Sequence, residues 1–275
     1  SLVQYSHFQV FREYHYPIFL FHKYLHSYYN TLSYFNGLII LPYRIGQVMV
    51  KIKYDIYNIK LKKEGCMFFS KYKNDIVDKS NALVGRDHPL INKLSNEING
   101  RYLMNVPKGF CQIVFGMGCF WGAERIFWNL EGVYHTSVGY AGGHTKNPTY
   151  EEVCSGLTGH TEVVKVVYDP KKISLKKVLI SFWEGHDPTQ GMRQGNDIGT
   201  QYRSAIFITN KEDLIEVKNT MKEFQGLLTR EGLENITTEI KSNVEYYFAE
   251  IYHQQYLYKN PNGYCGLGGC GIKFN

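Results

Sequence analysis

The sequence predicts an α+β domain: a two-layer α/β sandwich with a split βαβ (ferredoxin-like) core, long irregular loops and a Gly-rich C-terminal tail. Three observations carry this. Short β-branched runs and amphipathic stretches appear from about residue 110 in the order strand, helix, strand, strand, helix, strand, followed by a further helix and strand. The strands are bounded by Gly, Asn or Asp-Pro turns. From Pro261 onward glycine dominates and no period of 2 or 3.6 survives.

Gln112-Ile-Val-Phe115 is a short apolar run and reads as a strand; Gly116 to Gly118 turn the chain, and Phe120 to Leu130 reads as a helix. Val133 to Tyr140 is the second strand. Glu162 to Tyr168 is rich in valine and stops at Asp169-Pro170, a strand with its turn. Ser174 offers an N-cap for a helix over Leu175 to Glu184. Arg203 to Ile208 is a strand. Lys211 to Leu228 carries helical spacing at Leu214, Val217, Met221 and Phe224, and Ile236 to Ile240 is the last strand.

Three regions follow from this pass. Residues 1–66 form an unassigned N-terminal extension, crowded with Tyr, Phe, His and Asn and without sustained periodicity. Position 1 is not Met, while Met49 and Met67 both offer later starts. The extension reads as poorly ordered chain, an organelle-targeting leader or sequence absent from the mature protein. Residues 67–109 form a polar lead-in limited by Pro89 and Pro107. Residues 110–275 form the regularly patterned domain, which carries the candidate catalytic residues considered below.

The net charge of +6 is mild, and the only basic cluster is Lys60, Lys62 and Lys63. A nucleic-acid binder concentrates its charge on a face or tail, so no nucleic-acid partner is expected. The apolar run Gly37 to Pro42 is too short for a membrane span, which needs about 20 residues. Six cysteines are too few for a disulfide scaffold in 275 residues, and no secretory signal is evident. A reducing, cytoplasmic setting is expected, or an organelle if residues 1–66 are a leader.

Gly116-Met-Gly-Cys-Phe-Trp-Gly-Ala-Glu124 places Cys119 where a strand has ended and a helix begins. Free backbone N–H groups and the positive end of the helix dipole favour a thiolate there, and the thiolate is the nucleophile. Phe120 and Trp121 could wall an apolar pocket beside it. A buried structural cysteine is equally compatible with this stretch alone. A dinucleotide loop is not: Gly122 comes one residue too late, and no acid ends the second strand. In Asn262-Gly-Tyr-Cys-Gly-Leu-Gly-Gly-Cys-Gly271, flexible chain could carry Cys265 or Cys270 to a distant sulfur. Structural zinc needs paired ligands twice over, and His253 is the only other nearby candidate, so no metal is expected.

Together these residues resemble the A-type peptide-methionine sulfoxide reductases. The resemblance rests on Gly118-Cys-Phe-Trp-Gly122, Asn147-Pro-Thr-Tyr150, Cys154-Ser-Gly156, Gly159-His-Thr-Glu162, His186-Asp-Pro188, Gly195-Asn-Asp197, Gln201-Tyr-Arg203, His253-Gln-Gln-Tyr256 and Gly263-Tyr-Cys-Gly266, in the family's order and spacing. It runs from about residue 80 nearly to the C-terminus.

The resemblance implies Cys119 as nucleophile and Glu162 as the acid, a carboxyl kept protonated by burial. Tyr150 and Tyr202 are the implied hydroxyl donors to the sulfoxide oxygen, with Asp197 acting through a bound water. Phe120 and Trp121 are the implied pocket for the substrate's methyl group. The implied cycle oxidises Cys119 to a sulfenic acid and closes a Cys119–Cys265 disulfide, which thioredoxin or a similar reductant reopens. Substrates are oxidised proteins and free methionine S-sulfoxide; no cofactor is implied, and a monomer is expected. One departure stands out. Many members carry a further recycling cysteine eight or nine residues beyond the first, whereas Cys270 lies only five beyond Cys265, leaving its relay role open. Cys154 belongs to the motif but looks structural, and Cys111 should be buried beside its strand. Two other readings stay open on the residues: a general thiol-disulfide exchanger or thiol peroxidase on Cys119 and Cys265, and a non-enzymatic binder of oxidised methionine.

Overall fold

The computed structural model describes residues 34–35, 38–45, 48–54, 74–91 and 94–274. The chain divides into two compact units, Ser1–Cys66 and Met67–Asn275. In the first, β1 (Tyr34–Phe35), β2 (Leu38–Ile45) and β3 (Val48–Tyr54) form an antiparallel meander, so the apolar run before Pro42 contributes to a strand. Cys66 and the Lys60, Lys62, Lys63 cluster lie outside the described residues.

The second unit is mixed α/β, built on a six-stranded sheet. Its strands are β4 (Cys111–Met117), β5 (Val133–Ala141), β6 (Thr161–Tyr168), β9 (Ser204–Ile208), β10 (Glu239–Ser242) and β11 (Tyr246–Phe248). Their spatial order is β10-β9-β4-β6-β5-β11. Strand β6 runs antiparallel between β4 and β5; β9 is antiparallel to β4, and β10 is parallel to β9. A two-stranded ribbon joins β7 (Arg193–Gln194) to β8 (Asp197–Ile198).

Among the described residues the unit has five α-helices: α1 (Phe120–Trp128), α2 (Tyr150–Cys154), α3 (Leu175–Gly185), α4 (Asp213–Arg230) and α5 (Tyr256–Lys259). Side-chain caps set the starts of α2 and α3. Ser174 caps α3 by accepting from the Lys177 N–H at 3.2 Å. Thr149 and Glu152 form a reciprocal capping box on α2.

Strand alternation divides the core. Ile113, Phe115, Met117, Val164, Val166, Ile206 and Ile208 point to one face, packing on Phe127, Phe182, Trp183 and Phe224 of the long helices. Val114, Val163, Ala205 and Phe207 fill the other face. Between α3 and α4 the buried Trp183 indole donates to Thr220 Oγ1 at 3.1 Å, so its polar atom is satisfied.

The lead-in packs against this unit. Leu94 and Leu103 are buried with Ile91 against Phe248, and Arg86 pairs with Glu152 of α2 at 2.7 Å. Two expectations shift. The last expected strand, 236–240, begins only at Glu239, because Thr237 gives its N–H to the Pro188 carbonyl and Ile236 to the Gln225 side chain. Strand β11 was not expected from the sequence, because three residues are too few to display a period of two. Residues 260–274 contain no helix or strand, and no described helix is long and apolar enough to cross a membrane.

Candidate active site

Cys119 occupies the N-cap of α1, directly after β4 and the turn through Gly118, whose φ of +89° suits glycine. The neighbouring Gly116 also has no room for a side chain: a Cβ there would lie 2.9 Å from the Arg203 carbonyl oxygen. This close approach belongs to the pairing of β4 with β9, which directly follows the turn of Thr200–Tyr202.

Glu162, the second residue of β6, is 2% exposed. The Phe120 N–H, at the start of α1, donates to Glu162 Oε2 at 3.1 Å. Burial pushes the Glu162 carboxyl up to about 8, aided by the charge of Asp197 and opposed by the Phe120 bond. At neutral pH it is therefore an acid that can donate a proton.

Opposing influences act on the Cys119 thiol. The N–H groups of Trp121 and Gly122 do favour the anion, as the helix start suggests. Burial outweighs them, with Glu162 and Asp197 adding to it, and pushes the thiol well above its ordinary range. The sulfur is also largely covered, Cys119 being 9% exposed. The resting site thus holds a neutral thiol beside a neutral carboxyl.

Tyr150 opens α2, and Tyr202 closes the short turn before β9. Burial comes first in raising both hydroxyls, with Glu162 next, so both remain neutral donors. Tyr202 also feels Cys119, Cys154 and Asp197, which brings the separate sequence candidates into one electrostatic cluster. Asp197 begins β8 and accepts from the Tyr264 hydroxyl at 3.3 Å; burial raises its carboxyl. Cys154 is part of the same cluster. Its side chain hydrogen-bonds Tyr150, and burial, then Glu162, pushes it to about 12.

Phe120 is buried, whereas Trp121 is half-buried. The Trp121 indole stacks on Tyr256 at 3.9 Å between centroids and donates to His253 Nδ1 at 3.1 Å. Burial lowers His253 to about 3, so it is neutral and free to accept there. Glu250 accepts from the Tyr150 N–H at 2.9 Å and the Tyr140 hydroxyl at 2.8 Å. Glu250 lies outside every motif in the sequence, and nothing local marks His253 as a partner of Trp121. The run His253-Gln-Gln-Tyr256 was the only available signal for this support. Among the described residues no group of three or more His, Cys, Asp or Glu could hold a metal ion.

The tail returns over this helix start. A Cβ at Gly122 would lie 3.0 Å from Cys265 Sγ, so Cys265 sits beside the first turn of α1. Cys270 is half-buried and packs against the main core, as do Leu267, Ile272 and Phe274. Phe274 stacks on Phe224, while its N–H and the Lys273 ammonium both bond Glu184. Cys111, at the start of β4, is half-buried.

Comparison with known proteins places the chain in a family. Residues 111–269 match the family model described as peptide methionine sulfoxide reductase. The chain is 55% identical over 207 residues to the peptide methionine sulfoxide reductase MsrA of Photobacterium profundum, covering 74% of this chain and 98% of that protein. Among solved structures it is similar to methionine sulfoxide reductase A of Corynebacterium diphtheriae, with a TM-score of 0.66 and 45% identity over 72% of this chain and 99% of the other. It is also similar to reduced Mxr1 of Saccharomyces cerevisiae, with a TM-score of 0.53 and 37% identity over 58% and 91% of the two chains. By its residues, its fold and these matches, the chain belongs to the peptide methionine sulfoxide reductase family.

Proposed function

We propose that this member of the family reduces methionine S-sulfoxide, free or in proteins, through Cys119. The observation that carries the proposal is the buried, neutral Glu162 carboxyl held by Phe120 next to the Cys119 thiol. Glu162 gives its proton to the sulfoxide oxygen as the Cys119 sulfur attacks the substrate sulfur, and the thiol proton restores Glu162. Tyr150 and Tyr202 donate to the same oxygen, and Asp197 assists through a bound water. Phe120 and Trp121 hold the methyl group.

Methionine leaves and Cys119 carries the oxygen as a sulfenic acid: the substrate sulfur is reduced by two electrons and Cys119 oxidised by two. The Cys265 sulfur then attacks Cys119, forming the disulfide and releasing water. A thioredoxin-type dithiol returns both thiols by exchange. We assign the Cys119–Cys265 bond to the reductant, because Cys265 Sγ sits beside the first turn of α1.

The strand order supports reading the core as a split βαβ unit within a catalytic domain of 110–275, joined to the lead-in at 67–109 and the extension at 1–66. We assign a monomeric, cytoplasmic repair role, with an organelle as the alternative should residues 1–66 be a leader. Incubation with methionine S-sulfoxide and dithiothreitol tests the activity. Stoichiometric excess of methionine is expected, and no release would remove the reading.

A further inference from the structure

Helix α1 carries more than Cys119. One turn on, Gly122 leaves a bare patch of backbone, where a Cβ would lie 3.0 Å from Cys265 Sγ and 2.8 Å from Leu267 Cβ. Leu267 in turn packs against the main core. A further turn on, Arg125 Nη2 donates to Cys265 Sγ at 2.9 Å, although the two residues are 140 apart in sequence. Among the described residues the Arg125 side chain makes no ion pair. Its guanidinium is permanently charged and offers donors and no acceptor, so the sulfur is its partner in this fold.

These contacts address a physical problem. Cys265 is flanked by Gly263, Gly266, Gly268 and Gly269, and glycine-rich chain samples many conformations. A thiol that must meet a sulfenic acid at Cys119 would be lost in that ensemble unless something held it. Gly122 supplies the space and Leu267 an apolar anchor. Among the described residues Arg125 is the polar donor to the sulfur.

We propose that Arg125 is a positioning residue for disulfide closure, seating Cys265 Sγ against the first turns of α1 so that it is ready for oxidised Cys119. The proposal rests on the reading of Cys265 as the resolving thiol. In the step it serves, the Cys265 sulfur attacks the Cys119 sulfur, the S–S bond forms, the S–O bond breaks, and water leaves carrying the thiol proton. Arg125 is unchanged. Because Arg125 is exposed, solvent weakens the contact, and the effect should be about three- to tenfold.

The test is a rapid-quench experiment on the reduced full-length chain with one equivalent of methionine S-sulfoxide. It follows methionine release and the Cys119–Cys265 disulfide separately, the latter by alkylation and mass spectrometry. In Arg125→Ala and Arg125→Gln, methionine release should keep the wild-type rate while closure slows at least threefold and trappable Cys119 sulfenic acid accumulates. Arg125→Lys, which keeps a charged donor, should recover part of the loss. Unchanged closure in Arg125→Ala would overturn the proposal. So would a parallel fall in both steps, since general damage to α1 would act on both. If wild-type protein forms no Cys119–Cys265 disulfide, the failure belongs to the resolving role of Cys265 and not to Arg125.

Discussion

The backbone N–H of Phe120 donates to Glu162 Oε2 at 3.1 Å, tying the first residue of α1 to the second residue of β6. This bond places a fully buried carboxyl next to the residue that follows Cys119. Without it, burial alone would raise the carboxyl further, because the N–H contact is the one influence lowering it.

The Glu162 proton sets a pH limit on the reduction step. With Glu162 pushed up to about 8, the acid form dominates below that value and is lost above it. The single-turnover rate of methionine release should therefore hold through neutrality and fall about tenfold per pH unit well above 8. Glu162→Gln should lower that rate by at least about 100-fold and abolish this limb of the profile. A general thiol-disulfide exchange assay should respond far less, separating the reductase from a simple exchanger.

The same residue should cost stability. An acid with a folded value of about 8 and an ordinary value of 4.5 binds its proton more tightly in the folded state. Its stabilising contribution is complete below about 4.5 and is lost as pH rises through 8. Glu162→Gln cannot lose it. The Tm difference between variant and wild type should grow from pH 5 to pH 8 in favour of the variant. A constant difference across that range would show that Glu162 does not titrate in this window.

How far these features can be read in the sequence depends on their range. The valine-rich β6 and the Ser174-capped α3 depend on neighbouring residues, and both lie close to where local patterning sets them. The position of Cys119 at a helix start is local as well. Its ionisation is not: the burial that opposes the thiolate comes from the packing of segments distant in the chain. The Trp121–His253 bond spans 132 residues, and no pattern within either segment encodes it. Tyr150 and Tyr202 were singled out from 23 tyrosines only by family resemblance.

Tyr150→Phe and Tyr202→Phe should each lower the rate of methionine release by about 100-fold, as expected for one lost donor to a developing oxyanion. Affinity for the substrate should change less, since the methyl pocket at Phe120 and Trp121 is intact. Fits of single-turnover rate against sulfoxide concentration separate the two effects. A change confined to affinity would assign these tyrosines to packing.

The two tail cysteines should behave differently. Cys265→Ser should complete one round of reduction and then stall with thioredoxin as reductant. Cys270→Ser should cycle within about twofold of wild type, because it is Cys265 that is seated beside Gly122 at the first turn of α1. Steady-state thioredoxin-coupled assays decide this. A strong loss in Cys270→Ser would restore the relay.

The most direct test is to mix fully reduced protein with one equivalent of methionine S-sulfoxide and map every thiol by mass spectrometry. The account predicts one methionine released per chain and a single new bond, joining Cys119 to Cys265. Methionine appearing while Cys119 remains a free thiol, or a disulfide that omits Cys119, would contradict it.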